Sequence, residues 1–237
     1  MTTINYEAGG SKYSKPFDFE GKGKYRDTEP MLMLDTTGSM EDTTSLNGTI
    51  KRKDIAYWII KGIVTELTKL DSAAQKQEEE EGGGLKTTLF ARDNVVDFGD
   101  INPQNLDDKW RRIRWGGGTT ILPGWKNLMG NYQREFRGVP IDEQPLQLIT
   151  IVTDGEAEDL EEFAKKLETE EDAYVTVVVL GYFNPYYDIK SDPHTRVINA
   201  FNALAAKNNR VRIIDATSSI DHSTICAAVL ERATQTR

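Results

Sequence analysis

Thiol and imidazole groups are scarce in this sequence: one cysteine, Cys226, and two histidines, His194 and His222, in 237 residues. A single cysteine excludes an intrachain disulfide and fits a reducing compartment better than an extracellular one. It lies among Ile225, Ala227 and Val229, and reads as a small core residue rather than a nucleophile. Neither histidine stands in a metal-ligand spacing, and both fall at the starts of expected helices. Basic charge is also short, 29 Lys and Arg against 38 Asp and Glu for a net charge of −9, which argues against non-specific binding to nucleic acid or anionic membrane. No apolar run reaches transmembrane length, and the opening residues lack the apolar core of a secretion signal. The expectation is a soluble, cytoplasmic chain without direct membrane insertion, although a domain cut from a longer secreted protein has the same features. Phosphate-loop and dinucleotide fingerprints are missing, as is a nucleophile elbow.

What the chain does contain is alternation of short apolar runs with helical periods. Met1–Pro30 shows neither helical nor strand period and reads as an irregular arm, with 31–237 as one domain. Met31–Leu34 is an apolar run suited to a strand buried on both faces. Ile55, Ile59, Ile63, Leu67 and Leu70 recur at helical steps, predicting a helix from Asp54 to Thr68. Gln75–Gly84 is an acidic low-complexity loop with a glycine hinge. Leu85–Phe90 and Asn94–Phe98 are two strands about a turn. Helices are expected over Leu106–Ile113, Leu122–Phe136, Asp159–Leu167, Val197–Lys207 and Asp221–Ala233. Leu146–Val152, Tyr174–Leu180 and Val211–Ile214 complete the strands. Strands alternating with helices predict an α/β, doubly wound (Rossmann-like), mostly parallel sheet covered on both faces.

The chemistry gathers at strand ends. Asp35-Thr36-Thr37-Gly38-Ser39 follows the first apolar run, and in α/β proteins ligands bind in loops leaving the carboxyl ends of strands. Asp35, Thr37 and Ser39 alternate, so a curving backbone aims three oxygens at one point. Hard oxygens of this kind suit magnesium, manganese or calcium. Taken alone, the loop is an ordinary Asx-type turn. Two further stretches change its weight: Gly116-Gly117-Gly118-Thr119, and Thr153-Asp154-Gly155-Glu156 after a later strand.

Together these stretches resemble a von Willebrand factor type A (VWA) domain with its metal-ion-dependent adhesion site, in the family's order from about Met31 to about Leu230. The resemblance implies that the hairpin supplies one antiparallel edge strand. It implies that Thr37, Ser39 and Thr119 place hydroxyls at or near a Mg2+ (or Mn2+ or Ca2+) ion. Asp35 and Asp154 would lie against it directly or through water. It also implies the function: a protein partner presents an Asp or Glu carboxylate that completes the metal sphere. The chain departs from the pattern at Thr37, where serine is more usual; threonine keeps the oxygen but adds a methyl group and a χ1 restriction. Thr120 competes with Thr119 for its role, and direct succession to the glycines favours Thr119. The segment Met40–Lys53 is about two helical turns longer than in other VWA domains, predicting a specific apical loop. Glu156 reads as a surface acid, and Trp115 as a core residue or part of the ligand rim. Two other readings stand beside this one, a VWA scaffold that needs no metal and a metal-dependent hydrolase with Asp35 as nucleophile. The hydrolase lacks its usual second acid, since that position is Thr37.

Overall fold

A computed structural model describes residues 28–44, 48–74, 84–92, 94–155, 157–181, 186, 188, 191–216 and 226. A six-stranded sheet runs through the centre in the order β3-β2-β1-β4-β5-β6. Its strands are β1 (Thr28–Asp35), β2 (Leu85–Ala91), β3 (Asn94–Ile101), β4 (Leu146–Thr153), β5 (Ala173–Leu180) and β6 (Val211–Ala216). All neighbours are parallel except β2 and β3, which form the antiparallel edge. The helices are α1 (Arg52–Ala74), α2 (Leu106–Trp110), α3 (Leu122–Glu135), α4 (Leu160–Thr169) and α5 (Pro193–Lys207). This is the mostly parallel, doubly wound architecture expected from the alternation of periods.

The central strand shows why the sheet needs cover on both sides. Successive side chains of a strand point to opposite faces, and Met31–Leu34 are all fully buried. Leu32 and Leu34 join Ile55, Ile59, Ile60 and Ile63 of α1 in one core. Met31 and Met33 join Trp125 and Leu128 of α3, Phe163 of α4 and Phe201 of α5 in the other. In β5 every residue is buried, as its β-branched sequence predicts.

Element ends differ from the sequence expectation where a local cap or a tight turn decides them. β1 begins at Thr28, so Thr28–Pro30 belong to the sheet and not to the arm. Pro30 is tolerated there because β1 pairs at that level with β4 alone; pairing with β2 starts at Met31. α2 stops at Trp110, short of Ile113, because its last amides bond three residues back, Arg112 to Lys109 (3.0 Å) and Ile113 to Trp110 (3.1 Å). α5 starts at Pro193, ahead of Val197, because the Asp192 carboxylate accepts from the Thr195 amide at 2.8 Å and proline suits the first helical position. The expected last helix, the acidic loop up to but not including Gly84, Glu156 and His222 lie outside the described residues. Cys226 is an exception: it is helical, buried among the α1-side residues, and its thiol donates to the Ile59 carbonyl at 3.2 Å.

Candidate functional site

The strand order reverses between β1 and β4: from β1 the chain moves to β2 on one side, and β4 returns to the other. A crevice at the carboxyl ends of the strands is the general result of such a switch. Leu34 of β1 stands level with Val152 of β4, so Asp35 and Asp154 leave adjacent strands beside this crevice.

Three loops meet there, each tied to the next by backbone. The Gly116 amide donates to the Thr36 carbonyl at 2.8 Å, and the Arg92 amide to that of Gly118 at 2.7 Å. The Glu158 amide donates to the Thr119 carbonyl at 3.1 Å. The Asp159 carboxylate accepts from the Ile121 and Leu122 amides, both at 2.8 Å. An acid at the mouth of α4 thereby caps the start of α3, where helix amides are otherwise unpaired. Gly117 takes a φ of 89°, a left-handed conformation that favours glycine, and this turn delivers Thr119 to the crevice.

Four of the five expected site residues form one hydrogen-bonded chain. Asp35 is fully buried. One of its oxygens accepts from the Thr37 amide at 2.8 Å and the other from the Thr153 hydroxyl at 2.6 Å. The Thr37 and Ser39 hydroxyls are 3.1 Å apart, and Ser39 donates to Asp154 Oδ1 at 3.0 Å. The methyl group of Thr37 is thus accommodated in a position that is itself buried. Thr119, the fifth, is buried against the Asp154 loop: a Cβ added to Gly155 would lie 2.7 Å from the Thr119 hydroxyl. The Thr120 hydroxyl is buried with no hydrogen-bond partner among the described residues. Gly155→Ala is therefore expected to push Thr119 from its place and lower stability by about 1–3 kcal/mol, the usual cost of overpacking; the urea-unfolding midpoint measures it.

Two buried carboxylates at one site oppose ionisation. Burial pushes the Asp35 carboxyl up to about 6, and the neighbouring charge of Asp154 adds to the rise; the bonds from Thr153 and Thr37 oppose it. Burial also raises Asp154, against the pull of Arg52 and the Ser39 hydroxyl. Among the described residues no three Asp, Glu, His or Cys side chains converge as a metal site. The donor set here is two acids and three hydroxyls, which fits a hard divalent cation, because magnesium accepts neutral oxygens with few carboxylates.

Arg52 is the residue that sequence reasoning missed. It is the first residue of α1, and its Nη1 makes an ion pair with Asp154 Oδ2 and donates to the Ser39 carbonyl at 3.3 Å. The long segment before it folds back on itself, through a bridge between Thr43 and Lys51 and a bond from the Thr44 amide to the Ile50 carbonyl at 2.8 Å. The apical loop expected there is present in its described residues. Trp115 is half-buried and tilted against Trp110 at 5.5 Å, with Lys53 above its ring. It is an edge of the core on the α1 side of the sheet. His194 packs on Gly181 just after β5, and its Nε2 is 3.0 Å from Asp215 Oδ1.

No protein-family model matches the sequence, and no curated protein does. Solved structures do resemble it. Proximal thread matrix protein 1 from the mussel byssus is 16% identical with a TM-score of 0.52, over 88% of this chain and 49% of that one. The manganese-loaded TRAP protein of Plasmodium vivax is 14% identical with a TM-score of 0.52, over 95% of this chain and 78% of that one. The SpRpn10 VWA domain is 8% identical with a TM-score of 0.50, over 84% of this chain and 93% of that one. The chain spans about half the length of the byssus protein. These likenesses show the fold, an α/β sheet of the VWA type.

Proposed function

Starting from a sheet of the VWA type, we propose that the chain is a non-enzymatic protein-interaction module whose binding depends on a divalent cation, Mg2+ or else Mn2+ or Ca2+. The observation that carries this reading is the burial of Asp35 and Asp154 on one hydrogen-bonded chain with Thr37 and Ser39. Thr37, Ser39 and Thr119 hold the ion by their hydroxyls, and Asp35 and Asp154 balance its charge directly or through water. A bound ion supplies an electron-poor centre with open positions for a carboxylate of the partner protein. An Asp or Glu side chain of that partner is the group recognised. The net charge of −9 gives no electrostatic support to a nucleic-acid ligand. Among the described residues no helix is long and apolar enough to cross a membrane. Cytoplasmic placement belongs to the same proposal.

Hydrolysis is the weaker reading. Both Asp35 oxygens are engaged and the side chain is fully buried, which leaves it no free approach to a substrate. A metal-independent scaffold has one observation in its favour, the Arg52 cation already seated on Asp154. Partner binding that survives chelation would select it.

The melting temperature of EDTA-stripped protein, with and without magnesium, calcium or manganese, tests the proposal. An ion at a hundred times its dissociation constant stabilises by roughly 2.7 kcal/mol, a rise of roughly 5–10 °C for a domain of this size. No rise with any of the ions, in a folded protein, favours the scaffold.

A further inference from the structure

We infer that Arg52 is a tethered cation that occupies the metal position of this site and has to withdraw before a divalent ion binds, so that it sets the site's metal affinity. The inference rests on the metal-dependent reading above and deepens it. Both oxygens of Asp154 are taken: Oδ1 by the Ser39 hydroxyl at 3.0 Å, Oδ2 by Arg52 Nη1. Arg52 also reaches the Ser39 backbone, at 3.3 Å. An ion held by Ser39 and Asp154, directly or through water, therefore needs the space the guanidinium fills. A divalent ion brought to Ser39 and Asp154 would stand beside the guanidinium, and repulsion between the two cations is strongest where water is excluded.

The same geometry makes the guanidinium displaceable. Arginine binds a carboxylate best through two parallel N–H bonds. Here Nη1 alone contacts Asp154, and the buried Nε has no hydrogen-bond partner among the described residues. The seat is filled without satisfying its occupant. Withdrawal requires only side-chain rotation. The Arg52 side chain already reaches solvent, with 17% of its surface exposed, and its backbone is fixed independently by the amide bond to the Asp42 carbonyl at 3.0 Å. The flanking lysines do not compete for the seat, since Lys51 and Lys53 both turn to Glu41, at 3.8 and 2.6 Å. Arg52 thus supplies Asp154 with a positive charge when no metal is present, and it raises the ion concentration needed to load the site.

The test is a Mn2+ titration of the 237-residue protein after EDTA treatment and desalting, with free ion read from its EPR amplitude. Wild type, Arg52→Gln and Arg52→Ala are compared, and circular dichroism melts confirm that each is folded. The expected result is Mn2+ binding at least tenfold tighter in both variants than in wild type. Equal affinities would overturn the role of Arg52 and leave the metal site standing. Weaker binding in the variants would also overturn it, since Arg52 would then support the ion. Absence of Mn2+ binding in all three folded proteins would overturn this inference and the metal-dependent reading together.

Discussion

In EDTA at pH 8, the Asp35→Asn protein is expected to unfold at a higher urea concentration than wild type, and in saturating magnesium the order reverses. Asn keeps the shape of the carboxyl, still accepts from the Thr37 amide, and turns its own NH2 towards the Thr153 hydroxyl, which can rotate to accept. What it removes is a charge buried beside Asp154. The folded Asp35 carboxyl titrates at about 6, above the 3.8 of an ordinary aspartate. Folded protein therefore binds this proton more tightly than unfolded protein does. The associated stability is fully present below about pH 4 and is lost as pH rises through about 6. For a fully buried group the loss is on the order of 2–3 kcal/mol. Asn mimics the protonated form at every pH, so the variant's advantage grows from pH 4 to pH 8 and then levels off. Magnesium reverses the sign because, under the proposed function, the ion is stabilised by the very charge that Asn lacks. At a thousand times its dissociation constant it adds roughly 4.1 kcal/mol to wild type alone, more than the buried charge costs. A difference that is flat in pH would remove the buried-pair argument. Equal stabilisation of both proteins by magnesium would remove Asp35 from the metal site.

Legibility in the sequence follows the range of the interactions that decide each feature. The sheet is legible because Met31–Leu34 and Tyr174–Leu180 carry their burial in their own composition, and the helix containing Ile55, Ile59 and Ile63 carries it in its period. The three loops are legible because turn chemistry is local and each loop directly follows a strand or precedes a helix. Asp35, Thr37, Ser39 and Asp154 accordingly come together as expected, with Thr119 beside them. Their metal chemistry remains the proposal argued above. Arg52 is not legible, since the aim of a side chain at a helix start depends on how the preceding loop closes. Here the Thr43–Lys51 bridge makes that closure, between residues with no apolar period to announce it. The Asp159 cap on α3 fails for a similar reason: 37 residues separate Asp159 from the Leu122 amide, and only the folded sheet brings them together. Arg212 is a third case. It interrupts an apolar strand, yet it is buried and donates from Nε to the Thr176 hydroxyl at 2.7 Å across the β5–β6 pair. Such a partner is visible only once strand order and register are known.

Trp125→Ala is expected to cost about 3–5 kcal/mol in urea unfolding, within the range for deleting a fully buried aromatic. The ring is fully buried in the first turn and a half of α3, just after the loop that carries Thr119. It meets Phe163 of α4 edge-on, with centroids 5.3 Å apart. It therefore joins the two helices whose N-terminal ends frame the crevice, and its loss opens a cavity under both. Trp125→Phe separates packing from polarity. The indole N–H is buried with no hydrogen-bond partner among the described residues, so part of what Trp gains by area it gives up in desolvation. Phe keeps a ring against Phe163 and discards that N–H, and its cost is expected to stay below about 1.5 kcal/mol, as for a tolerated core swap. Equal losses in the two variants would mean that the outer part of the indole does all the packing. A loss below about 1 kcal/mol for Ala would mean that α3 is held by Leu128 and Tyr132 without it. Under the proposed function the ring supports the loop that carries Thr119, so Trp125→Ala is expected to lower Mn2+ affinity as well as stability, while Trp125→Phe keeps the affinity and most of the stability.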